Sequence, residues 1–222
     1  MINPVVVDLN HANTINFTKV KAAGILGIIH KATQGVGYRD HAYQSRRSAA
    51  EAMGFLWGAY DFATGDEVEA NVAAFFEAAQ PGPTTLMCLD FEDNSHSEMS
   101  GEQAREFLDR VDQKLGRACW IYGGNRIFEH IPEDDDFFAQ HPLWLCQYKL
   151  IQVDSLEELN KHIKVPPPWK DYTLLQYTGD GVGPKPHTVG GLEDGADLNA
   201  FKGDLLVDVG IWTSGLAPGV GV

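Results

Sequence analysis

Two carboxylates stand one residue apart at the end of an apolar segment of the chain. Asp90 and Glu92 follow residues 85–89, whose apolar composition predicts a buried strand. Because successive side chains of a strand alternate between its faces, Asp90 and Glu92 are expected to point the same way. Carboxyls paired in this way can act as a general acid and its partner. The alternative is a polar strand end that runs into an acidic loop, since Asp93 follows directly.

Polar and aromatic residues also stand at the ends of the other predicted strands. Carboxylates and amides bind hydroxyl groups, and aromatic rings stack on sugar rings, so this set predicts a carbohydrate site built around several acids. The alternative is a chance pattern, because loops usually begin with polar residues. The residues concerned are Asp8, Asn10, His11, Lys31, Thr33, Gln34, Tyr60, Asp61, Tyr122, Gln147, Tyr148, Gln176, Tyr177, Asp197 and Asn199.

The segments that must position these residues alternate between strand-like and helix-like patterns. The helix predicted at residues 100–115 has a capping-box sequence and an apolar stripe. Helices are predicted at residues 17–23, 42–53, 67–79 and 100–115. Strands are predicted at residues 5–8, 25–30, 55–60, 85–89, 118–122, 143–148 and 172–176, and a last short extended segment leads to Asp197.

This alternation predicts an α/β fold with a mostly parallel sheet and right-handed crossovers. About eight strands favour a closed barrel of the (β/α)₈ type, in which chemistry collects at the carboxyl ends of the strands. An open doubly wound sheet is the alternative, although no Gly-x-Gly-x-x-Gly motif follows the first strand. Helical patterns become sparse after residue 125 and no linker divides the chain. We therefore expect a single catalytic domain over residues 1–205 and a C-terminal tail over residues 206–222, glycine-rich and disordered from residue 213.

The composition excludes several classes of partner. Of the 222 residues, 44% are hydrophobic and 22% are charged, as in soluble globular proteins. A net charge of −14 argues against nucleic acid or an anionic membrane, because either needs a basic face. No apolar segment is long enough for a membrane span. Cys88, Cys119 and Cys146 lie singly in apolar segments and are expected to be free thiols, with neither metal nor cofactor.

Seven short motifs, taken in their order, resemble glycoside hydrolase family 25, the lysozymes of the Chalaropsis type. Each motif alone is weak evidence, but seven in register are specific, and the resemblance extends over residues 5–201. The motifs are Val7-Asp8-Leu9-Asn10, Lys31-Ala32-Thr33-Gln34-Gly35, Gly58-Ala59-Tyr60-Asp61-Phe62, Leu89-Asp90-Phe91-Glu92-Asp93, Trp144-Leu145-Cys146-Gln147-Tyr148, Leu175-Gln176-Tyr177 and Asp197-Leu198-Asn199.

The resemblance implies a modified TIM barrel of the (β/α)₅(β)₃ type and an N-acetylmuramidase. The expected substrate is bacterial cell-wall peptidoglycan, cut at the β-1,4 bond between N-acetylmuramic acid and N-acetylglucosamine. By the same resemblance Glu92 is the general acid, and Asp90, Asp8 and Asp197 are the other acids of the pocket. The family is thought to retain configuration. We expect assistance by the 2-acetamido group of the substrate, oriented by Asp90, while a carboxylate nucleophile stays open.

Two positions depart from the family pattern. Asp61 stands where His is usual, and Gln34 stands where Glu is usual. Asp61 is expected to add a carboxylate beside the site and to shift the pKa of the acid. The residues expected to bind substrate are Tyr60, Asp61, Lys31, Tyr122, Gln147, Tyr148, Gln176, Tyr177 and Asn199.

Two other functions stay open at this stage. A sugar-binding protein descended from the enzyme is one, although it has little reason to keep four acids. A metal-dependent hydrolase is the other, with Asp90, Glu92 and Asp93 as oxygen ligands. We expect neither a signal peptide nor a separate wall-binding domain. We expect a monomer that reaches the wall, outside the cell or in the periplasm, through phage lysis or a secretion system.

Overall fold

A computed structural model describes residues 1–95, 97–193 and 195–214, and the elements within them are as follows. The strands are β1 (Val6–Leu9), β2 (Gly27–Gln34), β3 (Tyr38–Arg39), β4 (Leu56–Phe62), β5 (Leu86–Asp90), β6 (Trp120–Gly123), β7 (Leu143–Cys146), β8 (Leu174–Thr178) and β9 (Asp197–Phe201). The helices are α1 (Phe17–Ala22), α2 (Tyr43–Ala52), α3 (Val68–Ala79), α4 (Gly101–Leu115), α5 (Asn125–His130), α6 (Asp136–Ala139), α7 (Leu156–Asn160) and α8 (Leu205–Ser214).

Eight of the strands close into a barrel. Their order is β1, β2, β4, β5, β6, β7, β8 and β9, and β9 pairs back with β1. Neighbours from β1 to β8 are parallel, whereas β9 is antiparallel to both β8 and β1. The short β3 forms an antiparallel extension of β2. The predicted single-domain α/β barrel is thereby confirmed, and the open doubly wound sheet is wrong.

The reversed direction of β9 corrects the predicted position of its first residue. The last extended segment was predicted to lead to Asp197, but Asp197 begins β9. Its register partner on β1 is Asp8, which stands near the carboxyl end of that strand. Because β9 is antiparallel, its amino end lies where the parallel strands finish. Asp197 therefore still reaches the predicted end of the barrel.

Alternation along the strands divides the core into two parts. One set of side chains packs between the strands and the helices, and Trp57, Phe75 and Phe107 belong to it. The other set fills the barrel interior. The buried members of this interior set are Val6, Ile29, Tyr60, Leu86, Cys88, Trp120, Tyr122, Trp144, Leu174, Phe201, Ile211 and Trp212. Residues two apart on a strand share a side, so parity decides which side chains can reach the mouth of the barrel.

The longest helix forms as its sequence predicts. In α4, the Ser100 side chain accepts from the backbone N–H of Gln103, and the Gln103 side chain accepts from the backbone N–H of Ser100. This capping box fixes the start of the helix, and Gly116 ends it with φ 72°. After residue 125, helices α5, α6 and α7 have only four to six residues each. No helix in the described part of the chain is long and apolar enough to cross a membrane.

The last helix closes the barrel at the end opposite the carboxyl ends of the strands. Trp212 of α8 is fully buried, and its indole N–H donates to the carbonyl oxygen of Trp57 (3.3 Å). Its ring packs against Trp120 and Phe201, with centroid distances of 6.3 and 6.5 Å. Part of the predicted 206–222 tail is therefore a helix whose apolar side chains complete the core. Residues 215–222, the rest of that tail, lie outside the described residues.

We predict that Trp212→Ala lowers the free energy of unfolding by about 3–5 kcal/mol, because it removes a buried aromatic ring and leaves a cavity. Urea unfolding followed by tryptophan fluorescence and circular dichroism measures the change. Leu205→Ala on the same helix is the matched control, since Leu205 is 40% exposed and its loss is expected to change little. A Trp212→Ala effect as small as that expected of Leu205→Ala would mean that α8 does not contribute to the core.

Candidate active site

The carboxyl ends of the barrel strands surround a cavity of about 380 Å³, which we call the acid pocket. The four predicted acids line it, together with Asp180: Asp8 of β1, Asp90 of β5, Glu92 of the following loop, and Asp197 of β9. Among the described lining residues, Lys31 is the only cation. The other lining residues are Asn10, Tyr60, Phe62, Tyr122, Trp144, Cys146, Tyr148 and Gln176. The four acids singled out in the sequence are thus brought together, with five of the predicted substrate-binding residues.

Two predicted substrate-binding residues lie on the wrong side of their strands. Asp61 follows the inward-facing Tyr60, is fully buried, and accepts a hydrogen bond from the Thr33 hydroxyl (2.5 Å). Tyr177 follows Gln176, is fully buried, and packs in the layer between barrel and helices. Neither lines the acid pocket. The prediction counted them by their nearness to a strand end, but the alternation of the strand turns both away from the mouth.

Two side-chain amides that were predicted to bind substrate instead form hydrogen bonds within the protein. The Asn199 amide is buried beneath the pocket and donates to Asp8 Oδ2 (2.7 Å). The Gln147 amide donates to the carbonyl oxygen of Lys164 (2.6 Å) and accepts from its backbone N–H (3.1 Å). Asn199 therefore supports an acid, and Gln147 secures a loop at the edge of the site.

A chain of hydrogen bonds fixes the carboxyl group of Asp8. The hydroxyls of Tyr122 and Tyr148 both donate to Gln176 Oε1, at 2.8 and 2.5 Å. With its oxygen occupied in this way, Gln176 presents Nε2 to Asp8 Oδ2 at 2.9 Å. Asn199 is oriented similarly, because its Oδ1 accepts from the indole N–H of Trp144 (2.6 Å). Asp8 Oδ2 thus receives two N–H donors, and both help to keep Asp8 ionised.

Burial raises the pKa of each of the four predicted acids, and neighbouring negative charges add to the rise for Asp90, Glu92 and Asp197. Burial raises the pKa of Asp8 to about 6, partly offset by the hydrogen bonds from Asn199 and Gln176. Burial, with the charges of Asp8 and Asp93, raises the pKa of Glu92 to about 7. Burial, followed by the charge of Asp8, raises the pKa of Asp197 to about 8. Asp8 has the lowest pKa of these three and is accordingly the most ionised of them near neutral pH.

Asp90 is as deeply buried as Asp8. Burial, and then the charge of Glu92, raises its pKa well above the usual value, while Lys31 acts in the opposite direction. The buried Oδ1 of Asp90 has no hydrogen-bond partner within the described residues. Lys31 Nζ donates to Gln34 Oε1 (2.8 Å) and lies over the Phe62 ring, 4.6 Å from its centroid. Gln34, one of the departures from the family pattern, therefore positions the pocket's cation.

Arg126 of α5 holds the loop that carries Glu92, and no pattern in the sequence indicates this role. Its guanidinium lies over the Phe91 ring, with 5.0 Å from Cζ to the centroid, and it bonds Asp93 Oδ1 at 2.8 Å. It also donates to the carbonyl oxygen of Met99 (2.7 Å). The residues on both sides of Glu92 are thus tied to one buried cation, which restricts where the carboxyl can move.

A second depression, the outer cleft, adjoins the acid pocket. It has a volume of about 790 Å³ and shares Glu92, Cys146 and Tyr148 with the pocket. The outer cleft is otherwise lined by Asp93, Gly124, Asn125, Arg126, Phe128, Gln147, Lys149, Leu150, Lys164 and Val182. Glu92 therefore stands at the junction of two connected cavities.

Several lining residues were missed at the sequence level. Phe62 and Cys146 lie two positions beyond Tyr60 and Trp144 on the same strands, so parity indicates them once those neighbours face inwards. Asp180 has a left-handed backbone conformation (φ 50°) that the sequence does not predict. Gly179 beside it must lack a side chain, because a Cβ there would overlap Asp197 Oδ1 and the Tyr148 hydroxyl.

The alternative metal site needs Asp90, Glu92 and Asp93 together. Asp93 instead pairs with Arg126 and lines the outer cleft, not the acid pocket. Within the part of the chain that the structure describes, no group of three His, Cys, Asp or Glu side chains is placed to hold a metal ion.

We predict that Gln176→Glu raises the pKa of Asp8 above about 6. The new carboxyl still accepts from Tyr122 and Tyr148, but it places an oxygen where Asp8 now receives an N–H donor. Carboxyl ¹³C NMR titration of aspartate-labelled protein measures the shift without any assay of activity. Gln140→Glu, at the exposed residue that caps the end of α6, is the control for added charge. An Asp8 that titrates as in the wild type would contradict a role for the amide.

We predict that Asp61→Asn makes stability less dependent on pH. Burial raises the pKa of Asp61 to about 7, so below that pH the folded protein binds a proton that the unfolded chain lacks. This contribution to stability is lost as pH rises through about 7, and the amide does not titrate. Between about pH 6 and 8, the loss of unfolding free energy in urea titrations should be smaller than in wild type by more than about 1 kcal/mol. Asp154→Asn, a substitution at an exposed position, is the control, and its unfolding free energy should fall with pH as that of wild type does.

Comparisons with known proteins agree with this architecture. The chain is 25% identical over 213 residues to lysozyme M1 of Streptomyces globisporus, an alignment that covers 89% of this chain and 67% of the relative. It is 22% identical over 200 residues to the autolytic lysozyme of Clostridium acetobutylicum, covering 87% of this chain but only 54% of that protein. The crystal structure of a bacterial lysozyme from Streptomyces coelicolor has the same fold, with a TM-score of 0.77, 24% identity, and coverage of 93% of this chain and 95% of the other.

The decisive match is to a family model. The model of glycosyl hydrolases family 25 matches residues 7–185, a segment that includes three of the four predicted acids. Asp197, the fourth, lies just beyond the matched segment and enters the pocket through the antiparallel β9. The chain belongs to glycosyl hydrolases family 25 and is a glycoside hydrolase.

Proposed function

We propose that this glycoside hydrolase is an N-acetylmuramidase, which cuts the β-1,4 bond between N-acetylmuramic acid and N-acetylglucosamine in bacterial peptidoglycan. The observation that carries the proposal is the position of Glu92, which lies between an acid-lined pocket and an open cleft. A polysaccharide that occupies both cavities must pass this carboxyl group. The named relatives are lysozymes, and family membership supports the same class of substrate.

Glu92 is the general acid of the proposed reaction. A general acid works best when its pKa lies near the working pH, and burial raises the pKa of Glu92 to about 7. The ionised Asp8 contributes to that rise, so one acid of the pocket keeps another protonated. Glu92 gives its proton to the glycosidic oxygen as the bond to the anomeric carbon breaks.

The other acids act on the sugar that remains in the acid pocket. Its anomeric carbon becomes positively charged in the transition state, and the anionic Asp8 stabilises that charge. In the substrate-assisted route, the 2-acetamido oxygen attacks the anomeric carbon as the leaving sugar departs. Asp90 orients the group by accepting its N–H, which either form of a carboxyl can do. Water then attacks the same carbon and displaces the acetamido oxygen while it gives its proton to Glu92, so configuration is retained and the acid is regenerated.

The main prediction is that Glu92→Gln lowers the release of reducing ends from purified peptidoglycan by about 10²–10⁴-fold, because the amide cannot donate the proton that the leaving oxygen needs. Reducing-end assays measure the rate, and mass spectrometry of the fragments identifies the bond that is cut. Glu129→Gln, an exposed substitution of the same type on α5, serves as the control.

Two results would contradict the proposal. One is near wild-type activity of a folded Glu92→Gln protein, which would remove Glu92 from the role of acid. The other is fragments that end in reducing N-acetylglucosamine, which would mean that a different glycosidic bond is cut. Proton NMR of the first product formed, taken before mutarotation, checks retention: the β-anomer is expected, and the α-anomer would exclude the substrate-assisted route.

A further inference from the structure

The outer cleft has no part in the proton transfer just described, yet it is about twice the volume of the acid pocket. The two cavities meet at Glu92, Cys146 and Tyr148. A bound polysaccharide therefore has room on both sides of the acid. The chemistry of the outer cleft should indicate what lies on its side of the chain.

The position of the acids sets the direction of the substrate. Asp8, Asp90 and Asp197 all line the acid pocket, and none of them lines the outer cleft. The anomeric carbon, which gains positive charge, must therefore lie in the acid pocket. Glu92 protonates the oxygen on the far side of that carbon, so the leaving part of the glycan extends into the outer cleft. In the proposed reaction, this part begins with N-acetylglucosamine and continues with muramic acid.

The cations of the outer cleft differ in whether they form ion pairs. Arg126 forms ion pairs with Asp93 (2.8 Å) and Glu98 (3.3 Å), so its charge is already balanced. Lys149 and Lys164 also line the cleft, and neither forms an ion pair within the described residues. Two ammonium groups without anionic partners on one cleft are unexpected in a chain whose net charge is −14.

Lys164 is also held in place. Its backbone is bonded on both sides by the Gln147 side chain, and its ammonium group lies over the Phe128 ring, 5.3 Å from the centroid. The ring belongs to α5, so the lysine bridges a loop and a helix at the wall of the cleft. A cation held over an aromatic ring keeps donors available for an anionic ligand.

We propose that the outer cleft binds the leaving segment of the glycan and that Lys149 and Lys164 recognise a carboxylate carried by its muramic acid. The proposal rests on the muramidase function inferred above. Uncharged sugars need no cations, whereas muramic acid carries a lactyl group that is either a free carboxylate or the attachment point of a peptide with carboxylates of its own. Both sources offer the same ligand to the lysines, namely a carboxylate on the leaving side.

The test compares the Lys149→Ala/Lys164→Ala double variant with wild type on three forms of peptidoglycan: native, stripped of peptides by an amidase so that only lactyl carboxylates remain, and amidated chemically so that no carboxylates remain. On the native polymer, the half-saturating concentration should rise by about 3- to 10-fold with kcat unchanged, because two exposed charge pairs are lost. On the amidated polymer, the two proteins should be equal. A rise on the stripped polymer assigns the lactyl carboxylate, and a rise on the native polymer alone assigns the peptide.

Lys161→Ala/Lys170→Ala is the matched control, since these exposed lysines flank Lys164 in sequence and do not line the cleft. At about 1 M salt, where screening acts within about 3 Å, the half-saturating concentrations of wild type and the cleft variant should become equal. An unchanged half-saturating concentration in the cleft variant, or an equal rise on the amidated polymer, would overturn the proposal. Absence of reducing-end release by wild type would instead reject the muramidase function, so the two failures are distinguishable.

Discussion

Closure of an eight-stranded sheet is the constraint on which the rest of this structure depends. Once the sheet is closed, every second side chain must enter the barrel, and the remainder must pack beneath the helices. At one end, the inward positions hold Asp8, Asp90 and Asp197. At the other end, they hold apolar side chains that Trp212 covers from α8. The same alternation that fills the core with apolar groups thus gathers ionisable groups at the mouth, where the strands end and packing no longer demands apolar residues.

Gathering acids in this way is electrostatically unfavourable, and the surrounding contacts show how the protein accommodates it. Asp8 receives two amide N–H donors, so it carries negative charge more readily than its neighbours. That charge raises the pKa of Glu92 and of Asp197, which therefore tend to remain protonated. The hydrogen bonds behind Asp8 accordingly influence the protonation of a residue that they do not touch. A pocket arranged only for stability would have fewer buried carboxyls, which is why this arrangement points to acid catalysis.

The sequence predicted the barrel and its acids, but not every orientation. The four acids follow from short motifs at strand ends, and the helices of the first half follow from caps and apolar stripes such as that of α4. Asp61 and Tyr177 were placed wrongly because nearness to a strand end was used without parity. Arg126 could not have been found, since its contacts with the Glu92 loop join segments about thirty residues apart. The packing of α8 was not predicted, because its few apolar residues stand beside a glycine-rich terminus and their partners in the core are distant in sequence.

Arg126 affects both the loop that carries Glu92 and the charge of the outer cleft. Its ion pair with Asp93 restrains the residue next to Glu92. The same ion pair balances the charge of Asp93, which lines the outer cleft together with Lys149 and Lys164. Were Asp93 unpaired, its carboxylate would compete with any carboxylate of a ligand for those lysines. One buried guanidinium therefore holds the loop of the proposed proton donor and leaves the cations of the outer cleft available. The position of the acid and the charge of the cleft beyond it are set by the same contact.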